Sequence, residues 1–180
     1  MIVMDISAKI FDTDNLIICP FDTYHLTQNY VDWLNDKEVV RFSEQRHKTH
    51  TLESCLAYWQ SLKNSPSLFW AIETKAKVHI GNITAHFDIA NGSADIGILI
   101  GNKSCWGKGY GQEAFSTVCE FLLEHASIRK VTAGTMAWNV GMRKVMAKSG
   151  MIEDGIRKRH FLLCEEEVDL IFSAKYKPRD

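Results

Sequence analysis

The stretch Trp106-Gly107-Lys108-Gly109-Tyr110-Gly111 places three glycines within five positions, between a predicted strand and a predicted helix. The first N–H groups of a helix lack partners inside it and carry partial positive charge, so they can bind an anion. A phosphate is the natural ligand, because glycines let it approach the backbone and Lys108 adds a positive charge. We therefore predict a phosphate-binding turn.

The spacing of these glycines excludes two common nucleotide-binding motifs. A P-loop, GxxxxGK[ST], would need glycine where Asn102 lies and serine or threonine where Gly109 lies. The dinucleotide motif GxGxxG needs offsets of two and three residues, whereas the offsets here are two and two. The strands before the turn also lack a βαβ pattern, so neither motif fits.

The segments around the turn predict strands before it and a helix after it. Residues 68–73, 78–87 and 94–100 have strand character, and Asn91-Gly92 is a strong hairpin signal between the last two. These two strands should be antiparallel neighbours. The helix is indicated by apolar pairs at helical spacing, which are Ala114/Phe115, Val118/Cys119 and Leu122/Leu123.

The rest of the chain adds further elements at both ends. Before the three strands, the pattern predicts a strand at 16–19, a helix capped by Asp22 or Thr23 with Leu26, Tyr30, Trp33 and Leu34 on one face, and a helix from Thr51. After the turn it predicts a strand at 129–136, a short helix from Asn139 to Gly150, and strands at 152–163 and 168–176. The polar segment 43–50 has no periodicity and is a candidate substrate-facing loop.

These elements define the predicted fold class, which is α/β (α+β). We expect a mixed, largely antiparallel twisted sheet of about seven strands flanked by about four helices. The 180 residues suit a single domain, covering 1–180, that can bury a core without disulfides or metal.

Composition narrows the class of partner and the compartment. The 21 basic and 22 acidic side chains nearly balance, which favours neither nucleic acid nor membrane as a partner. The five cysteines are odd in number and form no CxxC, and residues 1–5 lack an export signal, so a reducing cytoplasm is expected. His47, His50 and Cys55 are too few for a zinc site, and no metal is predicted.

The glycine stretch resembles the pyrophosphate loop of the GNAT superfamily of N-acetyltransferases, [Q/R]-x-x-G-x-[G/A], which opens a helix. Gly109 and Gly111 match that pattern, whereas Trp106 replaces the usual Gln or Arg. Downstream, residues 138–151 are similar to the family pattern N-x-x-[A/S]-x-x-[L/V]-x-x-K-x-G-F, and residues 30–39 are similar to W-x-N-D-x-x-V. The Trp-Gly-Lys-Gly-Tyr form of the loop at residues 106–110 resembles the branch of the family that includes ribosomal-protein N-terminal acetyltransferases and many amino-sugar acetyltransferases.

The resemblance implies acetyl-CoA as co-substrate and direct transfer of its acetyl group to an amine. It implies that the cofactor is bound by the splayed strand end at Ile98, Leu99 and Ile100, by the loop residues Trp106, Gly107, Lys108, Gly109, Tyr110 and Gly111 with Gln112 after them, and by Asn139. A backbone N–H of that strand would stabilise the oxyanion, and such preorganised donors contribute several kcal/mol.

The catalytic side chains are less well specified. A general base is useful because an alkyl amine is neutral only about one time in a thousand at pH 7. Glu44 in the polar loop is the first candidate and Asp95 the second, with His79 and His86 as alternatives. For the general acid, the tyrosine found in many family members falls on Met146 and the serine of the ribosomal-protein branch on Met142. The coenzyme A thiolate then leaves without a general acid, or Tyr110 or Cys105 acts as the general acid.

Three functions remain open. In the first hypothesis, the acceptor is a small amine such as a nucleotide-linked amino sugar, whose phosphates would interact with the basic groups of residues 41–48. A protein N-terminus is the alternative acceptor, and a non-catalytic acetyl-CoA-binding module is the third hypothesis. A homodimer is compatible with each.

Overall fold

The computed structural model describes residues 6–125 and 127–178, so the predictions for residues 1–5 and for the last two residues of the chain lie outside the described part. Its strands are β1 Phe11–Asp12, β2 Leu16–Pro20, β3 Ser67–Thr74, β4 His79–Asp88, β5 Ser93–Ile100, β6 Lys130–Met136, β7 Ile152–Leu163 and β8 Glu166–Tyr176. Its longer helices are α1 Gln28–Asn35, α2 Leu52–Lys63, α3 Tyr110–His125 and α4 Val140–Lys148.

The strands form one eight-stranded sheet in the order β1-β2-β3-β4-β5-β6-β8-β7. All neighbours are antiparallel except β5 and β6, which are parallel. The predicted hairpin between β4 and β5 is confirmed, and Gly92 in its turn has φ +60°, which glycine adopts without strain. The predicted mixed, largely antiparallel α/β fold is thus confirmed.

One face of the sheet is covered by α3 and α4. The three apolar pairs predicted for α3 are all buried there, together with Met146 of α4. They pack against Ala94 and Ile96 of β5, which point to this face. This layer fixes where α3 begins, directly after the glycine-rich turn.

The other face is covered by α1 and α2. Tyr30 and Leu34 of α1 and Cys55 and Trp59 of α2 form a second cluster on the sheet, to which Leu99 of β5 adds its side chain. The predicted start of α2 near Thr51 is confirmed, and Thr51 caps the helix because its hydroxyl accepts a hydrogen bond from the Ser54 N–H group. Among the described residues, no helix is long and apolar enough to cross a membrane.

Two details differ from the sequence prediction. The predicted cap of α1 is wrong: Asp22 instead caps a 3₁₀ turn at Thr23–His25, and Thr27 caps α1. The chain must bend between the two helical segments, and a backbone N–H to His25 side-chain hydrogen bond closes the shorter one. The sheet also gains β1, which at two residues is too short to leave a sequence pattern.

Candidate active site

A gap opens in the sheet between β5 and β6. The two strands pair only at Ser93–Asp95 and Lys130–Thr132, although β5 continues to Ile100 and β6 to Met136. Beyond Asp95, no described residue of β5 pairs with β6. The backbone edge of Ile98, Leu99 and Ile100 is therefore not paired with β6 on this side, where the sequence predicts the cofactor.

The glycine-rich turn lies just past the open end of β5. Gly107 and Gly109 have φ of +74° and +85°, and a Cβ atom added at either would meet nothing within 4 Å. The turn is therefore both glycine-dependent and uncovered. Trp106 donates its indole N–H to the carbonyl of Ile100 at 2.8 Å, which ties the turn to β5.

The remaining loop residues complete the helix start. Lys108 is exposed, and Gly109 accepts the first hydrogen bond of α3 from the Glu113 N–H group at 3.0 Å. Tyr110 is half-buried against the core, and Gly111 lies next to Ile100. The first N–H groups of a helix have no partner inside it, so those at the start of α3 are the donors that an anion needs.

Gln112 and Asn139 hold helix ends beside the gap. The Gln112 amide donates to Ser116 and Ser149 at 2.8 Å each and so links α3 to α4. Asn139 caps α4 by accepting from the Met142 N–H group at 3.1 Å, and its amide donates to Thr135 at 3.0 Å. Each amide therefore has a structural role, which binding a ligand would have to accommodate.

A cleft of about 770 Å³ lies on the α1/α2 face of the sheet, a volume suited to a small molecule. The described residues that line it are Tyr30, Leu34, Ser43, Gln45, Lys48, Thr49, His50, Ser54, Cys55, Tyr58, Phe69, Asn82, Thr84, His86, Asp95, Gly97, Ile98 and Leu99. Lys48 and Asp95 are the only lysine and the only carboxylate in this set. Most of the other polar groups are neutral hydrogen-bonding side chains.

The floor of the cleft comes from alternate residues of β4 and β5. Asp95 lies opposite His86, Gly97 opposite Thr84, and Leu99 opposite Asn82. A Cβ atom at Gly97 would contact nothing within 4 Å, so this glycine leaves free space in the middle of the floor. The sequence analysis missed Gly97, although glycine inside a strand often marks the close approach of a ligand.

Asp95 lies where the gap and the cleft meet, in the last residue pair before β5 and β6 separate. Thr132 of β6 donates a hydrogen bond to its carboxylate at 2.6 Å. Asp95 as a whole residue is exposed to the cleft. Desolvation of its carboxyl nevertheless raises the pKa of Asp95 above its usual value, against the opposing effects of Thr132 and His86.

The raised pKa gives a test of the local environment of Asp95. A carboxyl whose pKa is higher in the folded state stabilises the fold below its unfolded pKa, near 4, and loses that contribution as pH rises through the folded pKa. Asp95→Asn has no charge to bury, so we expect it to unfold at a higher temperature than the wild type at pH 7.5. The advantage should shrink at pH 4, as thermal unfolding at both pH values would show. Equal shifts at both would contradict this account.

Glu44 lies on the loop that borders the cleft, but its carboxylate points elsewhere. It forms an ion pair with Arg46 at 2.7 Å, and it is not among the lining residues. Arg46 also donates to the carbonyls of Ser43 and Leu162. Of the basic residues predicted near the acceptor, only Lys48 lines the cleft.

The same loop is held in place by Asn35, at the end of α1. The Asn35 amide donates to the carbonyl of His50 at 2.9 Å and accepts from the His50 N–H group at 2.8 Å. Two residues earlier in the W-x-N-D pattern, the Trp33 ring covers Gly101, where an added Cβ would lie 2.1 Å from the indole. The pattern therefore couples the loop to the end of β5.

Asn35→Ala should release this loop. Losing two exposed hydrogen bonds costs about 1 kcal/mol. We expect the His50 amide to exchange its hydrogen about 5-fold faster, because 1.4 kcal/mol corresponds to tenfold. Hydrogen exchange followed by mass spectrometry over 43–50 would measure this. Gln28→Ala removes the exposed Gln28–Asp32 hydrogen bond of the same helix and should leave hydrogen exchange in the loop unchanged. Equal exchange rates in the two variants would contradict the role of Asn35 in holding the loop.

The two histidines considered as bases have different surroundings. His86 is exposed and shares a hydrogen bond with Ser67 at 2.9 Å. His79 packs against the aromatic rings of Phe21 and Trp33, and burial lowers its pKa to about 4. Met146, at the position of the family tyrosine, is buried in the core, and Cys105 is buried as well.

Cys19, His25 and Glu73 form a buried cluster whose potential ligand atoms lie within 4.8 Å of one another. The Nδ1 atom of His25 accepts a hydrogen bond from the Asp22 N–H group at 2.9 Å, so the ring proton is on Nε2. This Nε2–H faces Glu73 at 3.2 Å. A protonated nitrogen cannot ligate a metal, so the cluster is a hydrogen-bond network.

Comparison with known proteins agrees with this geometry. The family model described as an acetyltransferase (GNAT) domain matches residues 15–152. The chain therefore belongs to the GNAT family of acetyltransferases, and the predicted class, an acetyl-CoA-dependent N-acetyltransferase, is confirmed. No curated protein matches the chain in sequence.

Solved structures share the fold at low sequence identity. A GNAT-family acetyltransferase from Bacillus anthracis is 18% identical, with a TM-score of 0.80 over 94% of this chain and 99% of that one. Ribosomal L7/L12 alpha-N-protein acetyltransferase in complex with coenzyme A is 15% identical, with a TM-score of 0.82 over 93% and 98%. Spermidine N-acetyltransferase from Vibrio cholerae, in complex with coenzyme A and spermine, is 13% identical, with a TM-score of 0.82 over 92% and 97%.

Proposed function

We propose that this protein transfers the acetyl group of acetyl-CoA to the primary amine of a small molecule bound in the cleft. The observation that carries the proposal is the position of Asp95. Asp95 lies where the gap between β5 and β6 begins, and it also lines the cleft, which is of small-molecule size. A base at this junction can reach an amine that approaches a thioester from the cleft side.

The cofactor would occupy the gap and the turn beyond it. The pyrophosphate would accept hydrogen bonds from N–H groups at the start of α3, with Lys108 beside it. The pantetheine arm would extend along the open edge of Ile98, Leu99 and Ile100 toward Asp95. Neighbouring structures that bind coenzyme A support this placement through the shared fold.

The reaction then needs few side chains. The neutral amine attacks the thioester carbonyl and forms the C–N bond, and a backbone N–H of β5 stabilises the oxyanion. Asp95 accepts the proton that the amine loses, directly or through a water in the space above Gly97. The C–S bond breaks and coenzyme A leaves as a thiolate.

The acceptor that fits the cleft best is an amino sugar, including one linked to a nucleotide. Ser43, Gln45, Thr49 and Ser54 offer neutral hydrogen bonds, which suit sugar hydroxyls. Lys48 is the group that can meet a phosphate. We also propose a cytoplasmic location, and no nucleic acid or membrane as partner.

Coenzyme A release from acetyl-CoA would test this function over a panel of amines. The panel contains a nucleotide-linked amino sugar, the free amino sugar, spermidine and a peptide with a free N-terminus. We expect the amino sugars to be turned over fastest. A preference for the peptide would favour the alternative, a protein N-terminal acetyltransferase, and background release for every amine despite acetyl-CoA binding would favour a non-catalytic module.

A further inference from the structure

Asn82 is a buried residue whose side-chain oxygen has a hydrogen-bond partner and whose side-chain nitrogen has none among the described residues. It lies in the middle of β4, lines the cleft, and is 4% exposed. Its Nδ2 atom has no hydrogen-bond partner among the described residues. A buried donor without a partner costs about 1 to 3 kcal/mol, so such groups usually meet a ligand or water.

His79 fixes which end of the amide faces the cleft. The Nε2 atom of His79 lies 3.0 Å from the carbonyl oxygen of Gly81 and 3.0 Å from the side-chain oxygen of Asn82. A carbonyl can only accept, so Nε2 carries the proton and donates to both oxygens. The Asn82 oxygen is therefore held by His79, and the NH₂ group remains for a ligand.

The position of Asn82 separates it from the predicted cofactor. The open edge of β5 faces β6, whereas Asn82 lies on β4, on the opposite side of β5. Neighbouring strands are about 4.8 Å apart, so β4 lies roughly 5 Å beyond β5 from that edge. A ligand atom that reaches Asn82 belongs to the molecule in the cleft.

The surroundings select the kind of atom that Asn82 can bind. The cluster that packs against Leu99, the cross-strand partner of Asn82, contains apolar and aromatic side chains of β2, α1, α2 and β3, such as Tyr30 and Phe69. A neutral hydroxyl or carbonyl oxygen accepts a hydrogen bond in such a place at a lower desolvation cost than an anion. The Nε2 atom of His50, also in the cleft lining, has no partner among the described side chains either.

We propose that the acceptor carries, besides its amine, a neutral oxygen that binds the Asn82 NH₂ group, and that His79 positions this amide. The inference rests on the proposed function and adds a second recognition point to it. Asn82 lies opposite Leu99 and His86 opposite Asp95, four residues along the strands, which is about 13 Å. The oxygen is therefore several bonds away from the amine.

Pairs of amines that differ only in this oxygen test the inference. The probes are ω-amino alcohols of six to ten carbons, whose extended lengths from nitrogen to oxygen bracket the required span, and the alkylamines of the same lengths. We expect wild type to prefer the alcohol at the best length by about tenfold in kcat/KM, because the alkylamine leaves Asn82 unpaired. Asn82→Leu should lower this ratio to about one with unchanged acetyl-CoA affinity, whereas exposed Asn64→Leu should keep it.

The outcomes separate this inference from the proposed function. If wild type acetylates the amines without preferring the alcohol at any length, or Asn82→Leu keeps the preference, the inference is wrong and the function stands. If neither these amines nor any amine of the panel above is turned over, the proposed function fails. Calorimetry of the same alcohol and alkylamine pairs with coenzyme A bound then tests the role of Asn82, and equal affinities for the two members of each pair contradict it. Asn82→Ala replaces Asn82→Leu if the latter does not fold.

Discussion

Gly109→Asp is expected to weaken acetyl-CoA binding by about 100-fold or more. The substitution places a carboxylate in the open space above the turn, where two charges about 4 Å apart repel by about 1 to 4 kcal/mol. Any residue with a Cβ atom also tolerates the φ of +85° found here less well than glycine does, which adds to the loss. Each 1.4 kcal/mol is tenfold in Kd. Isothermal titration calorimetry with acetyl-CoA measures the change.

Gly109→Asn is the matched control for this variant. Asparagine has nearly the same size as aspartate, carries no charge, and tolerates a positive φ better than most residues. It should therefore weaken binding much less than aspartate does. Unchanged acetyl-CoA affinity in Gly109→Asp, in a protein that still unfolds cooperatively, would refute the assignment of the turn to the pyrophosphate.

Asp95→Asn should lower kcat by about 100-fold to 10,000-fold, the usual contribution of general acid–base catalysis. Asparagine keeps the shape and can still bond to Thr132, so the affinity for acetyl-CoA should stay within about twofold of wild type. The base must be deprotonated to act, and burial raises its pKa. Wild-type kcat should therefore rise with pH through that raised pKa, and the variant should lack this limb of the profile.

Glu44→Gln is the comparison that decides between the two carboxylates. Because Glu44 pairs with Arg46 outside the cleft lining, its amide variant should keep kcat within about threefold. Steady-state rates at saturating acetyl-CoA and amine, measured from pH 5 to 9, cover both variants. A large loss in Glu44→Gln together with a normal Asp95→Asn would return the role of base to the loop.

Features that depend on local sequence were predictable. The glycine spacing predicted the turn before α3, the paired apolar positions predicted the buried face of α3, and Asn91-Gly92 predicted the β4–β5 hairpin. Each depends on residues close together in the chain. The start of α1 was predicted wrongly because Asp22 and Thr27 are both acceptable caps, and the sequence does not say which one starts the longer helix.

Features that depend on distant pairing were not predictable from the residues alone. The gap arises because β6 pairs along its length with β8 while following β5 for only three residues, a tertiary property. The orientation of Glu44 toward Arg46 is likewise set by packing. Two signals were present but unused: Gly97 and Asn82 are both disfavoured inside strands, and such exceptions often mark a functional position.

The short contact between β5 and β6 has a mechanical consequence. Two half-sheets, β1–β5 and β6–β8, are joined through their strands by three residue pairs. A cofactor bound in the gap would contact both half-sheets and restrict their motion relative to each other. Part of its binding free energy would then be spent on ordering the junction. Substitutions that weaken this junction, at Lys130 for example, should then lower the affinity for the cofactor, although the substituted residue does not contact it.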